Sequence, residues 1–284
     1  MDTKDHCVRA ITNDGSYRVI AVRSTEMVQS VLDAQGASGY EANLLGELLT
    51  SAVMVREMMS PNMRVQMIIG TRPHRFSFVA DARPGGLTRG LMGVPDGAVV
   101  ALGDGVFLQV LRVLYDGQLH QGIVATDLQE GIPGSLCTYM LRSEQTNSLV
   151  DVACVFDADG RVKAAGGYIV QLLPEADESA IALMSARAEG FRSLVEILGE
   201  GGGSPDEMLP IVLKGFPFTV LEKSPVFFGC DSSQARVLGA LATMPRADVV
   251  DLVSEGEVLN IGCDYCGEDH QIGTEMLKSL LEDN

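Results

Sequence analysis

Leu149-Val-Asp-Val-Ala-Cys-Val-Phe156, the turn Asp159-Gly160, and Val162-Lys-Ala-Ala-Gly-Gly-Tyr-Ile-Val-Gln-Leu-Leu173 decide the fold. Two β-branched runs flank an Asp-Gly pair, whose residues tolerate positive φ, so the stretch reads as a β-hairpin. The same signal lies upstream, where Val106–Leu114 and Leu119–Ala125 flank Asp116-Gly117. Further strand patterns cover 17–23, 63–69 and 75–80. Helices interrupt them. Ser38 and Glu41 have capping-box spacing before the apolar stripe Leu44, Leu45, Leu48, Leu49, Ala52, Val53 and Val55, and Leu136, Tyr139 and Met140 mark another helix. Hairpins with interspersed helices predict an α+β fold: a mixed, largely antiparallel sheet domain over 1–174.

Beyond Pro174 the texture changes. Residues 179–198 carry one helical pattern (Ile181, Leu183, Met184, Phe191, Leu194, Val195, Leu198), broken by Gly199 and Gly201–Gly203. Ser204, Asp206 and Glu207 then start a short helix, so 175–225 reads as a helical linker. A small tail follows over 226–284. Ser233–Thr243 and Asp248–Ser254 read as helices, Val258–Ile261 as a strand, and Thr274 as the cap of a last helix. So small a unit with few large apolar side chains needs a staple, and a metal is the usual one.

The 284 residues carry 21 basic against 38 acidic side chains, a net charge of −17. Such a field repels phosphate backbones and anionic lipid heads, which argues against nucleic acid or a membrane as partner. No apolar run approaches the roughly 20 residues of a membrane span. Met1–Cys7 lacks the basic and apolar regions of an export signal, which predicts a cytoplasmic protein.

Six cysteines are too sparse for a disulfide scaffold. Cys137 and Cys154 lie in a helix and a strand pattern and read as buried and inert. Cys263-Asp-Tyr-Cys266-Gly267 is the chemical signal, because two thiolates at that spacing can grip one zinc ion from a tight turn. Cys230, 33 positions upstream, supplies a third sulfur. Two other readings stand beside it. The thiols can be small buried apolar residues, or Cys263 and Cys266 can form a thiol-disulfide oxidoreductase site, although no apolar helix follows the second cysteine. The Gly199–Gly203 run lacks a phosphate-loop ending, and no acid dyad or Ser-His-Asp set is visible.

Over nearly its whole length the chain resembles the heat shock protein 33 family, redox-regulated holdase chaperones of bacteria. The resemblance rests on Asp5-x-x-x-Arg9, Asp14-Gly15, Arg89-Gly90, His120-Gln121-Gly122, Tyr139-Met-Leu-Arg-Ser143-Glu144-Gln145-Thr146, Ala164-Ala-Gly-Gly167, Gln171-Leu-Leu-Pro174 and the Cys263–Gly267 segment. It implies no enzyme but a switch. Zn2+ holds the tail folded when reduced; oxidation makes disulfides, zinc leaves, tail and linker unfold, and apolar surface captures unfolding client proteins, with homodimerisation on activation. The family pattern is Cys-x-Cys and, about thirty residues later, Cys-x-x-Cys. Here Ser232 stands in the second cysteine's place, with 30 residues between it and Cys263.

The implied ligands are therefore Cys230, Cys263 and Cys266, with Cys263 and Cys266 still able to pair as a redox disulfide. A neutral hydroxyl is a poor zinc ligand, so the fourth position is open to water, to His270 or to Asp231; His270 also reads as a solvated loop residue among Glu268 and Asp269. Weaker zinc retention and a lower opening threshold follow, or in the extreme a constitutive, redox-insensitive chaperone. Leu183, Met184, Phe191 and Leu194 of the linker pack on the first domain at rest and are the candidate client contacts once released.

Overall fold

The computed structural model describes residues 4–71, 75–114, 117–126, 130–174, 176, 193–201 and 203–282. The chain divides into two compact units, Met1–Phe228 and Gly229–Asn284. In chain order, the first unit begins with β1 (His6–Thr12), β2 (Tyr17–Arg23), α1 (Thr25–Gln35), α2 (Gly39–Glu57), β3 (Arg64–Thr71), β4 (Ser77–Ala82) and β5 (Leu87–Gly93). It continues with β6 (Val106–Val113), β7 (Leu119–Ala125), α3 (Gly131–Ser143), β8 (Ser148–Phe156) and β9 (Val162–Leu172). It closes with α4 (Leu194–Gly199), α5 (Pro205–Val212), β10 (Phe218–Pro225) and β11 (Phe227–Phe228).

The α+β expectation holds. Two sheets form, in the orders β10-β1-β2-β9-β8 and β11-β5-β4-β3-β6-β7. Their pairings are antiparallel except β11 with β5. The expected β8–β9 hairpin turns at Gly160, φ +78°. Gly117, φ +82°, lies between β6 and β7; its expected turn partner Asp116 lies outside the described residues.

Helix α2 explains why the sheets come together. Its residues from Ala42 to Glu57 are buried almost all round, as befits a helix with apolar side chains on more than one face. One core runs through it, from Ile20, Val22 and Ile169 of the first sheet to Met67, Ile69, Phe78 and Val110 of the second. Gly90 makes the approach to β5 feasible, since a Cβ there would sit 2.9 Å from Val31 and 3.1 Å from Leu49. Ser38 is the N-cap of α2, but its side chain makes no capping bond. Gly39 follows at φ +58°, which takes the first turn out of the right-handed region and away from the hydroxyl.

The described part of the segment expected as linker, from 193 on, packs within this unit. A second core packs Leu194, Ile197, Leu198, Met208, Leu209 and Val212 of α4 and α5 on the other face of the first sheet, against Val8, Val19, Tyr168 and Val170. Ser204 and Glu207 form a full capping box at α5. Phe218–Pro225 pairs antiparallel with β1 from Phe218↔Thr12 to Pro225↔His6, so its backbone groups are met in a sheet. The first unit therefore extends to Phe228. Leu194 is 1% exposed; Leu183, Met184 and Phe191 lie outside the described residues.

Two charged features shape this unit. Asp81, fully buried on β4, meets Arg64 through Nε at 2.5 Å and Nη2 at 2.8 Å, Arg83 Nε at 3.1 Å and Arg89 Nε at 2.9 Å. Glu47 on α2 is raised to about 7 by burial, opposed by the Asn43 amide and reinforced by Asp151. A carboxyl near 4.5 when unfolded and about 7 when folded binds more protons in the folded state between those values. Stability therefore falls as pH climbs from about 4.5 to about 7 and is level outside that window. Glu47→Gln removes the dependence. In urea denaturation the variant should gain on the wild type by about 2–3 kcal/mol from pH 4.5 to pH 8; an equal difference at both ends would refute the assignment.

Candidate metal centre

The second unit contains α6 (Gln234–Leu241), α7 (Arg246–Glu255), β12 (Leu259–Gly262), β13 (Asp269–Ile272) and α8 (Thr274–Glu282). Strands β12 and β13 pair antiparallel, Leu259 with Ile272 through Gly262 with Asp269. Among the described residues its buried apolar side chains are Val249, Ile272 and Leu277. Three buried apolar side chains make a small core for a unit of this length, the situation in which a metal or crosslink usually helps.

Three sulfurs do converge. The turn between β12 and β13 folds because the Cys263 amide donates to the Glu268 carbonyl at 2.9 Å and the Gly267 amide to the Cys263 carbonyl at 2.7 Å. Gly267 takes φ +73°, which a side chain would oppose. Cys263 and Cys266 thereby share one side of the turn, and the extended segment before α6 brings Cys230 to them. The Sγ atoms of Cys230, Cys263 and Cys266 all lie within 4.8 Å of one another, with Cys230 and Cys263 at 3.5 Å. All six cysteines of the chain are free thiols.

Ser232 stands beside this cluster. Its Oγ lies 3.3 Å from Cys266 Sγ. Zinc–sulfur bonds of about 2.3 Å in a tetrahedron separate sulfurs by about 3.8 Å, so the spacing of the three thiols suits a single metal ion. The ligand atoms of Asp231 and His270 do not join the three sulfurs within 4.8 Å. Asp231 pairs instead with Arg236. His270 is not a solvated loop residue: it sits on β13 opposite Ile261, is 7% exposed, and keeps a buried Nε2 with no hydrogen-bond partner. A sheet partner at Ile261 carries this side chain inward. Only the register of Ser232 signalled its place beside the cluster.

Electrostatics divide the thiols. Burial raises Cys230, but hydrogen bonds from the Ser232 hydroxyl and amide and from the Cys263 and Cys266 thiols outweigh it and bring Cys230 down to about 6. Cys266 goes up, chiefly through burial.

The family model of the Hsp33 protein matches residues 5–273. The chain belongs to the Hsp33 family. Curated relatives agree over most of their length: the 33 kDa chaperonin of Syntrophotalea carbinolica is 29% identical over 98% of this chain and 99% of its own, and that of Citrifermentans bemidjiense 30% identical over 93% and 92%. The crystal structure of the Thermotoga maritima 33 kDa chaperonin superposes with a TM-score of 0.82 over 98% of each chain at 21% identity, which supports the fold. An Hsp33 chain is a member of a chaperone family, and in this one three clustered cysteines can hold a metal ion. Among the described residues no helix is long and apolar enough to cross a membrane.

Proposed function

We propose that the chain is a redox-regulated, non-enzymatic holdase of the cytoplasm, which binds unfolding proteins after oxidation of its tail thiols. The observation that carries this reading is the convergence of Cys230, Cys263 and Cys266, from segments 33 residues apart, in a unit with three buried apolar side chains. A zinc ion bound there, by Cys230, Cys263 and Cys266 with the Ser232 hydroxyl, supplies folding free energy to the tail.

The thiols themselves carry the switch. The Cys230 thiolate attacks a peroxide oxygen, giving a sulfenic acid and releasing hydroxide. The Cys263 thiol, 3.5 Å away, then displaces that oxygen as water and closes a disulfide. Cys263 and Cys266 form the competing pair. Either way two thiols are consumed and one remains, three thiolates no longer face one point, and the tail loses its closure. Homodimerisation and release of the segment containing Leu183, Met184 and Phe191 belong to the active state in this reading. Nucleic acid and membranes are not partners. The oxidoreductase alternative is disfavoured because Cys263 lies in a turn between two strands, without the helix N-terminus that lowers a redox thiol's pKa.

Two assays test this. Treated with peroxide, each chain should lose two of its three tail thiols by alkylation and mass spectrometry. Cys7 and Cys154, held well above the usual thiol range by complete burial, and Cys137, also raised by burial, should persist. The oxidised protein should suppress aggregation of a heat-unfolding client at near-stoichiometric ratio more strongly than the reduced protein. Catalytic turnover in insulin reduction would overturn the holdase reading.

A further inference from the structure

The first unit contains a second polar site, remote in chemistry from the cysteines. A pocket of about 110 Å³ opens between the ends of β2, β9, α2 and α3. The strings Ser143-Glu144-Gln145-Thr146 and Gln171-Leu-Leu-Pro174 meet there, and the tail switch uses neither. Two arginines face it. Arg112 donates through Nη1 to Glu144 Oε2 at 2.9 Å, and Tyr139 donates its hydroxyl to Glu144 Oε1 at 2.5 Å, so that carboxylate is satisfied. Arg18 has no such partner among the described residues. Among the described residues its guanidinium reaches only Gln171 Oε1, a neutral acceptor on the cross-strand residue of β9, through Nε at 2.9 Å and Nη2.

A half-buried guanidinium without a counter-charge is costly to keep. Burial, with Arg9 nearby, holds Arg18 below its usual pKa, the direction expected of a cation that lacks an anion. The backbone is strained at the same place: Gln145 has φ +54°, the one positive φ at a non-glycine position among the described residues. Such strain is found where the surrounding structure must aim its neighbours, here Glu144 and Thr146, into a site.

We propose that this pocket binds a small organic monocarboxylate, its carboxylate on Arg18 and its carbon chain against Val55, Met58, Met59 and Met140. The charges set the valence. Arg18 and Arg112 against Glu144 leave one net positive charge, enough for one carboxylate and too little for a dianion beside the Glu144 carboxylate. The wall sets the tail, since methionine side chains adapt to a short alkyl group. The carboxylate can come from a free short-chain acid or from the C-terminus of a polypeptide ending in an aliphatic residue.

Calorimetric titration of the reduced, zinc-loaded full chain with butyrate, N-acetyl-leucine, butyramide and inorganic phosphate tests it. Butyrate or N-acetyl-leucine should bind saturably, the tighter of the two naming the source, and butyramide and phosphate should not. Arg18→Gln should weaken binding by about tenfold or more, the worth of a charge-assisted bond. Met59→Glu, at a partly exposed position, should abolish it with the fold intact, which guards against a misfolded Arg18 variant. Failure of both butyrate and N-acetyl-leucine to saturate, phosphate that binds as tightly, or unchanged affinity in folded Arg18→Gln and Met59→Glu proteins would overturn the proposal.

Discussion

Ser232→Cys should tighten zinc binding by about a hundredfold. Structural zinc sites contribute about 10–16 kcal/mol over four ligands, hence about 3 kcal/mol for each, and the variant replaces a neutral hydroxyl with a thiolate. The position is prepared for sulfur: Ser232 Oγ already lies 3.3 Å from Cys266 Sγ. Competition against a chromophoric chelator reads the affinity directly. The same substitution should raise the peroxide dose needed for activation, because a better-held set of thiolates opens less readily, and should allow two disulfides per chain instead of one. Ser233→Cys is the control. That neighbouring residue caps α6, its hydroxyl accepting from the Arg236 amide, so a thiol there costs a little helix stability and leaves zinc affinity unchanged. Equal affinities for the wild type and Ser232→Cys would show that Ser232 does not stand at the fourth corner.

Asp81→Asn should cost the first unit about 3–5 kcal/mol. The carboxylate is fully buried and is the common acceptor for Arg64, Arg83 and Arg89, whose side chains are 36%, 14% and 11% exposed. An amide keeps the shape but removes the charge, and its NH2 faces guanidinium donors. Three cations then face a neutral group, two of them largely out of water, and burial rather than lost attraction sets the cost. Urea denaturation followed at the first unit should show the fall. Asp33→Asn, at an exposed pair with Arg161 of 3.7 Å, should shift stability by less than about 0.5 kcal/mol. If both variants behave alike, the Asp81 cluster is ornamental to stability.

The legible parts of the fold were those with local signals. The hairpin β8–β9 announced itself by Asp159-Gly160, and α5 by Ser204 and Glu207. The parts that escaped depend on distant partners. Phe218–Pro225 follows a glycine- and proline-broken stretch and becomes a strand only because β1 offers an edge. Leu87–Gly93 carries Arg89 and two glycines, poor strand material until Asp81 pairs the charge and α1 and α2 press on Gly90. Thr25–Gln35 passed unnoticed although Gly36 ends it in the left-handed region. At the metal centre the three cysteines were readable from spacing. Beside them, Ser232 was marked only by its register, and spacing alone does not say that His270 turns inward beside Ile261 while Ser232 meets Cys266.

Backbone hydrogen exchange, measured on the reduced chain before and after zinc is removed by a chelator, tests the switch most directly. Zinc removal should abolish protection across residues 229–282 while β1–β9 stay protected, and peroxide should produce the same pattern. Protection of the tail that survives chelation would contradict the claim that the cysteine cluster holds this unit shut.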